Sequence, residues 1–203
     1  MAIKALAMES EDAYENERYF VPPPSKRLIV KRDGSSITRQ IPKPVVLVDT
    51  REQHPFDFDR FPNWIASQKK RKLSVGDYSV EGMEDILTIE RKSLPDLITT
   101  LMQNRPRFFR LCERMTKYKW RALFIGATYE DVKSFYGEYT LAHPNAVSGT
   151  LDALEAKFGI PVVYTSRYQE LAEEKAASWL SKHFTYWYLE SNGMGRVLQE
   201  GDL

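Results

Sequence analysis

The stretch Gly76–Lys92 reads Gly-Asp-Tyr-Ser-Val-Glu-Gly-Met-Glu-Asp-Ile-Leu-Thr-Ile-Glu-Arg-Lys. Its two β-prone segments are separated by a short polar connection, which predicts two neighbouring strands. Because strand side chains alternate between faces, Glu90 and Lys92 project to one side and Arg91 to the other. If Asp77 folds against the first side, two carboxylates and an ammonium group converge at one end of a sheet. Such a group can hold a divalent cation and place a water molecule beside a phosphate.

The bulk composition is that of an ordinary intracellular domain. The 203 residues suffice for one domain with a sizeable core, and the net charge of +1 neither favours nor excludes a polyanionic partner. The single cysteine, Cys112, cannot form an internal disulfide and favours a reducing compartment. The strongest apolar run, Val45–Val48, is far shorter than the roughly 20 residues of a membrane span. With no secretory signal visible, we expect a cytoplasmic protein without a membrane partner.

The chain divides into regions of different composition. Residues 1–24 are acidic and end in three prolines, which favours a flexible arm. In the next region an Asp-Gly dipeptide separates the β-prone segments 27–31 and 37–41, which predicts a hairpin. The expected organisation is an acidic, proline-rich arm (1–24), a β-hairpin extension (25–44), the principal domain (45–188) and a loose tail (189–203).

Within residues 45–188, predicted strands alternate with predicted helices, which is typical of an α/β fold with a mixed sheet covered by helices. The predicted strands are 45–48, 73–80, 86–92, 122–126 and 160–164. The predicted helices are 58–70, one that begins after the cap residue Ser93, 107–118, 151–158 and 168–187.

Four charged blocks follow one another along this domain: Asp49-Thr50-Arg51-Glu52, Gly76-Asp77-Tyr78, Glu90-Arg91-Lys92-Ser93 and Asp96-Leu97. In this order, and on these predicted elements, they resemble the pattern of the XPF-type structure-specific nucleases, a branch of the restriction-endonuclease-like PD-(D/E)XK superfamily. The resemblance covers roughly Val45 to Trp179. It implies a restriction-endonuclease-like mixed central sheet flanked by helices.

The resemblance also implies a metal centre. Asp77 and Glu90 would ligate the catalytic cation, and the family pattern places Asp49 close to it. Carboxylate ligands without an accompanying histidine or cysteine cluster favour Mg²⁺ or Mn²⁺ over zinc.

Further residues receive roles from the same resemblance. Lys92 would orient the attacking water or help to deprotonate it, and Arg51 and Arg91 would hold the scissile phosphate or its neighbours. Glu52 and Asp96 match the pattern too, with supporting roles. Metal and cations together would stabilise the charge that develops on the phosphate.

Two basic clusters are candidates for contacts to the DNA backbone. One face of the predicted helix 107–118 carries Arg107, Arg110, Arg114 and Lys117. Solvated surface charge explains such a face equally well, but its position directly after the active-site block favours DNA. The cluster at 69–72 has the same two interpretations, with Lys70 and Arg71 as the candidate contacts.

The chain departs from the family pattern in places that concern substrate contacts. Pro106-Arg107 and Leu111 stand where the family usually has a Gly-Arg pair and a glutamine, and Gly126 stands where a strand often ends in glutamate. We expect a stand-alone nuclease domain without a helicase domain or a tandem helix-hairpin-helix module, so a partner could supply further DNA binding. The aromatic end of the last helix predicts either a cap on the core or a homodimer interface; it comprises Phe184, Tyr186, Trp187 and Tyr188.

The expected function is therefore a metal-dependent DNA endonuclease acting at branched, forked or flap structures. Two alternatives stay open. One is a non-cleaving DNA-binding or scaffold subunit that retains the fold, and the other is a general DNA-processing exonuclease.

Overall fold

The structure is a computed structural model that describes residues 41–137 and 140–193, together with two short strands, β1 (Lys31–Arg32) and β2 (Ser35–Ser36). These two strands pair antiparallel, with Arg32 opposite Ser35. The Asp-Gly dipeptide of the predicted hairpin lies between them in sequence. The predicted arm at 1–24, and residues 194–203 of the predicted tail, lie outside the described residues.

A six-stranded mixed sheet forms the centre of the domain. Its strands are β3 (Val45–Val48), β4 (Ser67–Lys70), β5 (Tyr78–Val80), β6 (Leu87–Ser93), β7 (Trp120–Gly126) and β8 (Val162–Tyr164). The strand order is β4-β3-β5-β6-β7-β8. The pairs that β5 makes with β3 and β6 are antiparallel, whereas β3–β4, β6–β7 and β7–β8 are parallel. The predicted α/β fold with a mixed sheet is confirmed.

Helices cover both faces of this sheet. They are α1 (Leu94–Gln103), α2 (Arg105–Met115), α3 (Tyr129–Lys133), α4 (Pro144–Phe158) and α5 (Gln169–Ser191). Helix α5 packs on one face, in a core that includes Ile89 and Phe124. Helices α1 to α4 pack on the other, around Leu123 and Ile125. Within the described residues, no helix is both long enough and apolar enough to cross a membrane.

This alternation fixes where the charged residues of β6 lie. Glu90 pairs with Leu123, and Lys92 pairs with Ile125 on the neighbouring parallel strand. Paired residues of adjacent strands share a face, so both charges lie on the α1–α4 side. Arg91 pairs with Phe124 and lies on the α5 side.

The predicted helix 58–70 is wrong. Only Phe58–Arg60 form a short 3-10 turn, and residues 67–70 form edge strand β4 beside β3. Pro62 lacks the N–H that a helix would bond back to Phe58, which disfavours continuation. The apolar residues at helical spacing, such as Phe61 and Trp64, lie in a loop, and their side chains are buried. Strand pairing at the sheet edge outweighs the local helical pattern.

Other boundaries differ from the predicted ones. The predicted strand 73–80 is regular only at Tyr78–Val80, because the chain turns at Gly76 with a φ of +77°. Helix α4 begins at Pro144, not at 151. Helix α3 was not predicted, although Thr128 and Asp131 form a capping box that marks its start in sequence.

The C-terminal boundary was also misplaced. Helix α5 continues to Ser191, so the predicted loose tail cannot begin at 189. Leu189 is fully buried and packs against Ile41, which precedes β3. Phe184 is buried in the α5-side core, and Trp187 and Tyr188 pack against that core. Of the two interpretations of this aromatic end, these contacts support the core cap.

Candidate active site

A cavity of about 350 Å³ opens on the α1–α4 side of the sheet, between the ends of its central strands and helices α1 and α2. Seven of the predicted site residues line it: Asp49, Arg51, Asp77, Glu90, Lys92, Arg107 and Arg114. Gly76, Phe108 and Leu111 also line it, with Ser74, Val75, Thr100 and Asn104, which the sequence did not single out. The positions of Thr100 and Asn104 depend on how α1 and α2 pack over the sheet, for which the sequence carries no local signal.

Gly76 allows the two carboxylate-bearing strands to approach each other. Its φ of +77° lies in the region that favours glycine. A Cβ at this position would collide with the hydroxyl of Thr88 and lie 2.7 Å from the carbonyl oxygen of Ile89. The next amide, that of Asp77, donates a hydrogen bond of 2.7 Å to the same carbonyl. The side chain of Asp77 is thereby held beside β6.

Asp77 and Glu90 form a pair of like charges, of which Glu90 is buried and Asp77 is partly buried. Oδ2 of Asp77 accepts a hydrogen bond of 2.7 Å from the backbone N–H of Arg91. Burial, together with the charge of Glu90, raises the pKa of Asp77 to about 7. Burial also raises the pKa of Glu90, although the neighbouring Lys92 opposes the shift. Two ionised carboxylates here are costly unless a proton or a cation offsets their charge.

Lys92 lies beside Glu90, with Nζ 3.0 Å from Oε1. Burial would lower the pKa of Lys92, but the carboxylate of Glu90 outweighs burial and raises it. The side chain is therefore an ammonium ion at neutral pH. It can donate hydrogen bonds and supply positive charge, but it cannot take up a proton.

Asp49 is 1% exposed, and both of its carboxylate oxygens are already engaged. Oδ1 accepts hydrogen bonds from N and Nε of Arg51, at 2.8 and 2.6 Å. Oδ2 accepts from Nη2 of Arg51 at 3.1 Å and from the backbone N–H of Leu73 at 2.6 Å. Burial would raise the pKa of Asp49, but these hydrogen bonds outweigh burial and lower it. Asp49 thus fixes Arg51 and the segment that leads to Gly76.

Arg51 is held in place yet open to solvent. Nη2 also donates to the carbonyl oxygen of Leu73 at 3.0 Å, and the side chain is 64% exposed. Within the described residues, Nη1 has no hydrogen-bond partner. A guanidinium fixed along one edge and free along the other is suited to hold a phosphate.

Arg91 is not brought to the cavity. Its guanidinium carbon lies 4.7 Å from the centre of the Phe56 ring, on the α5 side of the sheet. Nη1 donates to the carbonyl oxygen of His54 at 3.2 Å and lies 3.7 Å from Glu52. The contacts of Arg91 and Glu52 therefore hold the loop after β3, whereas the sequence predicted that Arg91 would hold a phosphate.

The other predicted residues also lie outside the cavity lining. The carboxylate of Asp96 accepts from the hydroxyl of Ser93 at 2.8 Å and so helps to cap α1. Arg71 forms an ion pair of 2.7 Å with Glu84. Three exposed cations, Lys70, Arg110 and Lys117, do not line the cavity either.

The raised pKa of Asp77 leads to a prediction for the metal-free protein. The carboxyl has a pKa of about 7 when folded and 3.8 as its ordinary value, so unfolding between these pH values releases a proton. Its contribution to the free energy of unfolding should therefore fall as pH rises through this window, by up to about 1.4 kcal/mol per pH unit. Urea unfolding in EDTA, compared between wild type and Asp77→Asn, isolates this contribution.

Asp131 provides a control, because its contribution to the free energy of unfolding has the opposite pH dependence. A backbone hydrogen bond from Thr128 lowers the pKa of Asp131, so the stability that this carboxylate contributes is lost as pH falls through its folded pKa. Relative to Asp77→Asn, the free energy of unfolding of the wild type should be higher at low pH and lower towards pH 7. Relative to Asp131→Asn, the free energy of unfolding of the wild type should increase as pH rises. A pH-independent difference between wild type and Asp77→Asn would contradict the prediction.

Comparisons with known proteins agree with this geometry. A family model described as the ERCC4 domain matches residues 37–176, which is more than half of the chain. The chain is 25% identical over 132 residues to the Methanocaldococcus jannaschii protein named "Putative ATP-dependent RNA helicase MJ1505". This match covers 64% of the chain but 15% of the relative, so the chain spans about 15% of that protein's length.

A solved structure shows the same fold. XPF from Aeropyrum pernix aligns with a TM-score of 0.54 and 18% sequence identity, over 74% of this chain and 70% of that one. The predicted resemblance is confirmed by both the family match and this likeness. The chain belongs to the ERCC4 domain family, and its six-stranded sheet with flanking helices is the fold of an XPF-type nuclease domain.

Proposed function

We propose that this chain is a metal-dependent DNA endonuclease that hydrolyses phosphodiester bonds at branched, forked or flap structures. The observation that carries the proposal is the carboxylate pair of Asp77 and Glu90, which shares one cavity with Lys92. Membership of a family known for nucleases agrees with it. Two carboxylates that repel each other are poised to accept a cation, and the half-buried ammonium group of Lys92 beside them is suited to bind an anion.

The residues fit Mg²⁺ or Mn²⁺. Asp77 and Glu90 would hold the ion, which when bound would lower the pKa of a water molecule and neutralise charge on the phosphate oxygens. Magnesium is usually bound by one or two carboxylates, with waters and substrate phosphates completing its shell. In the part of the chain that the structure describes, no three His, Cys, Asp or Glu side chains gather as a ready ligand set. Asp49, whose oxygens are both occupied, supports the site by holding Arg51.

The chain's cations would bind and orient the substrate. Lys92, whose Nζ lies beside Glu90, would donate a hydrogen bond to the attacking water or to a phosphate oxygen and so orient it. Arg51 would contact the phosphate through its free edge. Both supply positive charge where negative charge develops in the transition state.

Assembly and location are further parts of the proposal. We infer a homodimer from the resemblance to the XPF-type family alone. We also infer a partner protein that adds DNA-binding surface, because the cavity itself accommodates only a short piece of one strand. The aromatic end of α5 carries no support for the dimer, since its contacts are those of a core cap. The intracellular location stays a prediction.

Cleavage of labelled flap, fork and blunt duplex DNA is the direct test. In Mg²⁺ or Mn²⁺ we expect internal cuts near the junction of flap or fork substrates, and EDTA should abolish them. Substrates blocked at both ends should still be cut, because an endonuclease needs no free terminus. Stepwise shortening from an unblocked end would instead support an exonuclease. DNA binding with neither cleavage nor Mn²⁺ binding in calorimetry would support a scaffold subunit and overturn the proposal.

A further inference from the structure

The cavity is lined by four basic side chains, and only two of them form ion pairs with carboxylates of the cavity. Of the four cations that line it, Arg51 pairs with Asp49 and Lys92 pairs with Glu90. The remaining two, Arg107 and Arg114, are exposed on α2 and have no carboxylate partner within the described residues. Two unpaired guanidinium groups in one cavity are suited to bind an anion that the protein does not supply.

The spacing of these arginines suits an extended anion. They are seven residues apart on α2, so they lie on nearly the same side of the helix, about 10.5 Å apart along its axis. Leu111 lies between them and lines the cavity too. The two guanidinium groups can therefore contact two different phosphates along one DNA strand.

The other basic residues of α2 and of the turn after it do not line the cavity. The guanidinium of Arg105 lies 5.3 Å from the centre of the Phe109 ring, which in turn contacts Phe158 of α4. Arg110 and Lys117 are exposed but do not line the cavity. The helix therefore presents two separate basic sets, where the sequence predicted a single face.

We propose that Arg107 and Arg114 form a backbone subsite, which holds a short stretch of one DNA strand beside the phosphodiester that would be cut at Asp77 and Glu90. This proposal rests on the proposed function, which makes DNA the ligand. Guanidinium groups bind phosphate in a bidentate geometry, and contacts to the backbone carry no sequence information. The subsite fixes which strand enters the cavity and where along that strand the carboxylates act.

Matched charge removal tests the subsite. The test pair is Arg107→Gln with Arg114→Gln, and the control pair is Arg110→Gln with Lys117→Gln, which has the same spacing and the same loss of charge. The probe is a short fluorescein-labelled single-stranded oligonucleotide of mixed sequence, and anisotropy in EDTA over a series of NaCl concentrations gives its affinity. The test pair should weaken binding at least about tenfold at low salt and lower the salt slope by about 1.4, since each contact to a single strand contributes about 0.7. The control pair should change affinity less than about threefold.

The outcomes separate this proposal from the proposed function. Equal losses in both pairs would show diffuse attraction and overturn the subsite, as would an unchanged affinity of the test pair or no binding by the wild type. Arginine-dependent binding without any cleavage in Mg²⁺ or Mn²⁺ would keep the subsite and overturn the nuclease. Unchanged thermal unfolding of both double variants, expected for exposed side chains, excludes misfolding as the cause.

Discussion

Replacing Asp77 with asparagine is expected to lower the cleavage rate at least about 100-fold while making the metal-free protein more stable near pH 8. Loss of residues that only orient metal ligands costs about 10- to 100-fold in metal affinity or activity, so loss of a ligand should reach at least the upper end. Stability should rise because asparagine removes a buried charge beside Glu90 and keeps an oxygen for the amide of Arg91. The gain should be about 1 to 3 kcal/mol. Single-turnover cleavage in Mg²⁺ and urea unfolding in EDTA measure the two effects.

Glu90→Gln provides the matched comparison. It should also abolish cleavage, but it leaves the half-buried Lys92 without its carboxylate, so little or no stability should be gained. Asp152→Asn, which changes an exposed carboxylate on α4, should alter neither rate nor stability. If Asp77→Asn cuts DNA like wild type, Asp77 is not a ligand. If it unfolds more easily at pH 8, the like-charge account of the pair is wrong.

The expected loss of cleavage and gain of stability in Asp77→Asn agree with a functional reason for a carboxylate at this position. A carboxylate whose pKa is raised to about 7 reduces the stability of the folded chain at neutral pH. The backbone N–H of Arg91 does not require the charge, since an amide oxygen can accept the same hydrogen bond. Strain of this kind is retained where it serves binding or catalysis, which is the role that we propose for the pair.

The elements that the sequence predicted well are those whose own side chains decide their structure. The continuous apolar run of β3 and the capped apolar stripe of α1 are buried as predicted. Strand β4 was missed because its residues are polar and half exposed, and only its backbone pairing with β3 makes it a strand. Edge strands of this kind leave little hydrophobic pattern in a sequence.

The same distinction applies to the candidate site. Side-chain alternation placed Glu90 and Lys92 together in the sequence analysis. The convergence with Asp77 was conditional there, and the structure brings all three to one cavity. It also turns Arg91 away, and the structure gives that residue contacts with Phe56 and His54 on the other face. Resemblance assigned a phosphate contact to Arg91 that strand geometry opposes. The contacts of Arg91 depend on how the loop after β3 packs against β6, and this packing cannot be inferred from one sequence.

Gly76→Ala is expected to destabilise the protein by about 2 to 5 kcal/mol and to lower cleavage strongly. A non-glycine residue at a φ of +77° costs about 1 to 2 kcal/mol. The added methyl group would also lie 2.7 Å from the carbonyl oxygen of Ile89, and such overpacking costs about 1 to 3 kcal/mol more. Any shift of the backbone that relieves this contact moves Asp77 away from β6, so the carboxylate pair is disrupted as well. Urea unfolding and single-turnover cleavage in Mg²⁺ measure the two losses.

Two other glycines separate the cost of backbone strain from the cost of the steric contact. Gly82 has a φ of +84°, and a Cβ there would meet only Trp187 at 3.9 Å, so Gly82→Ala tests backbone strain alone and should cost about 1 to 2 kcal/mol. Gly149 lies within α4 with nothing within 4 Å of a Cβ, so Gly149→Ala should stabilise the protein by up to about 1 kcal/mol. Neither control variant should lose cleavage activity. If Gly76→Ala costs no more than Gly82→Ala and cuts DNA normally, then the close approach at Ile89 does not position Asp77, and the carboxylate pair depends on some other contact.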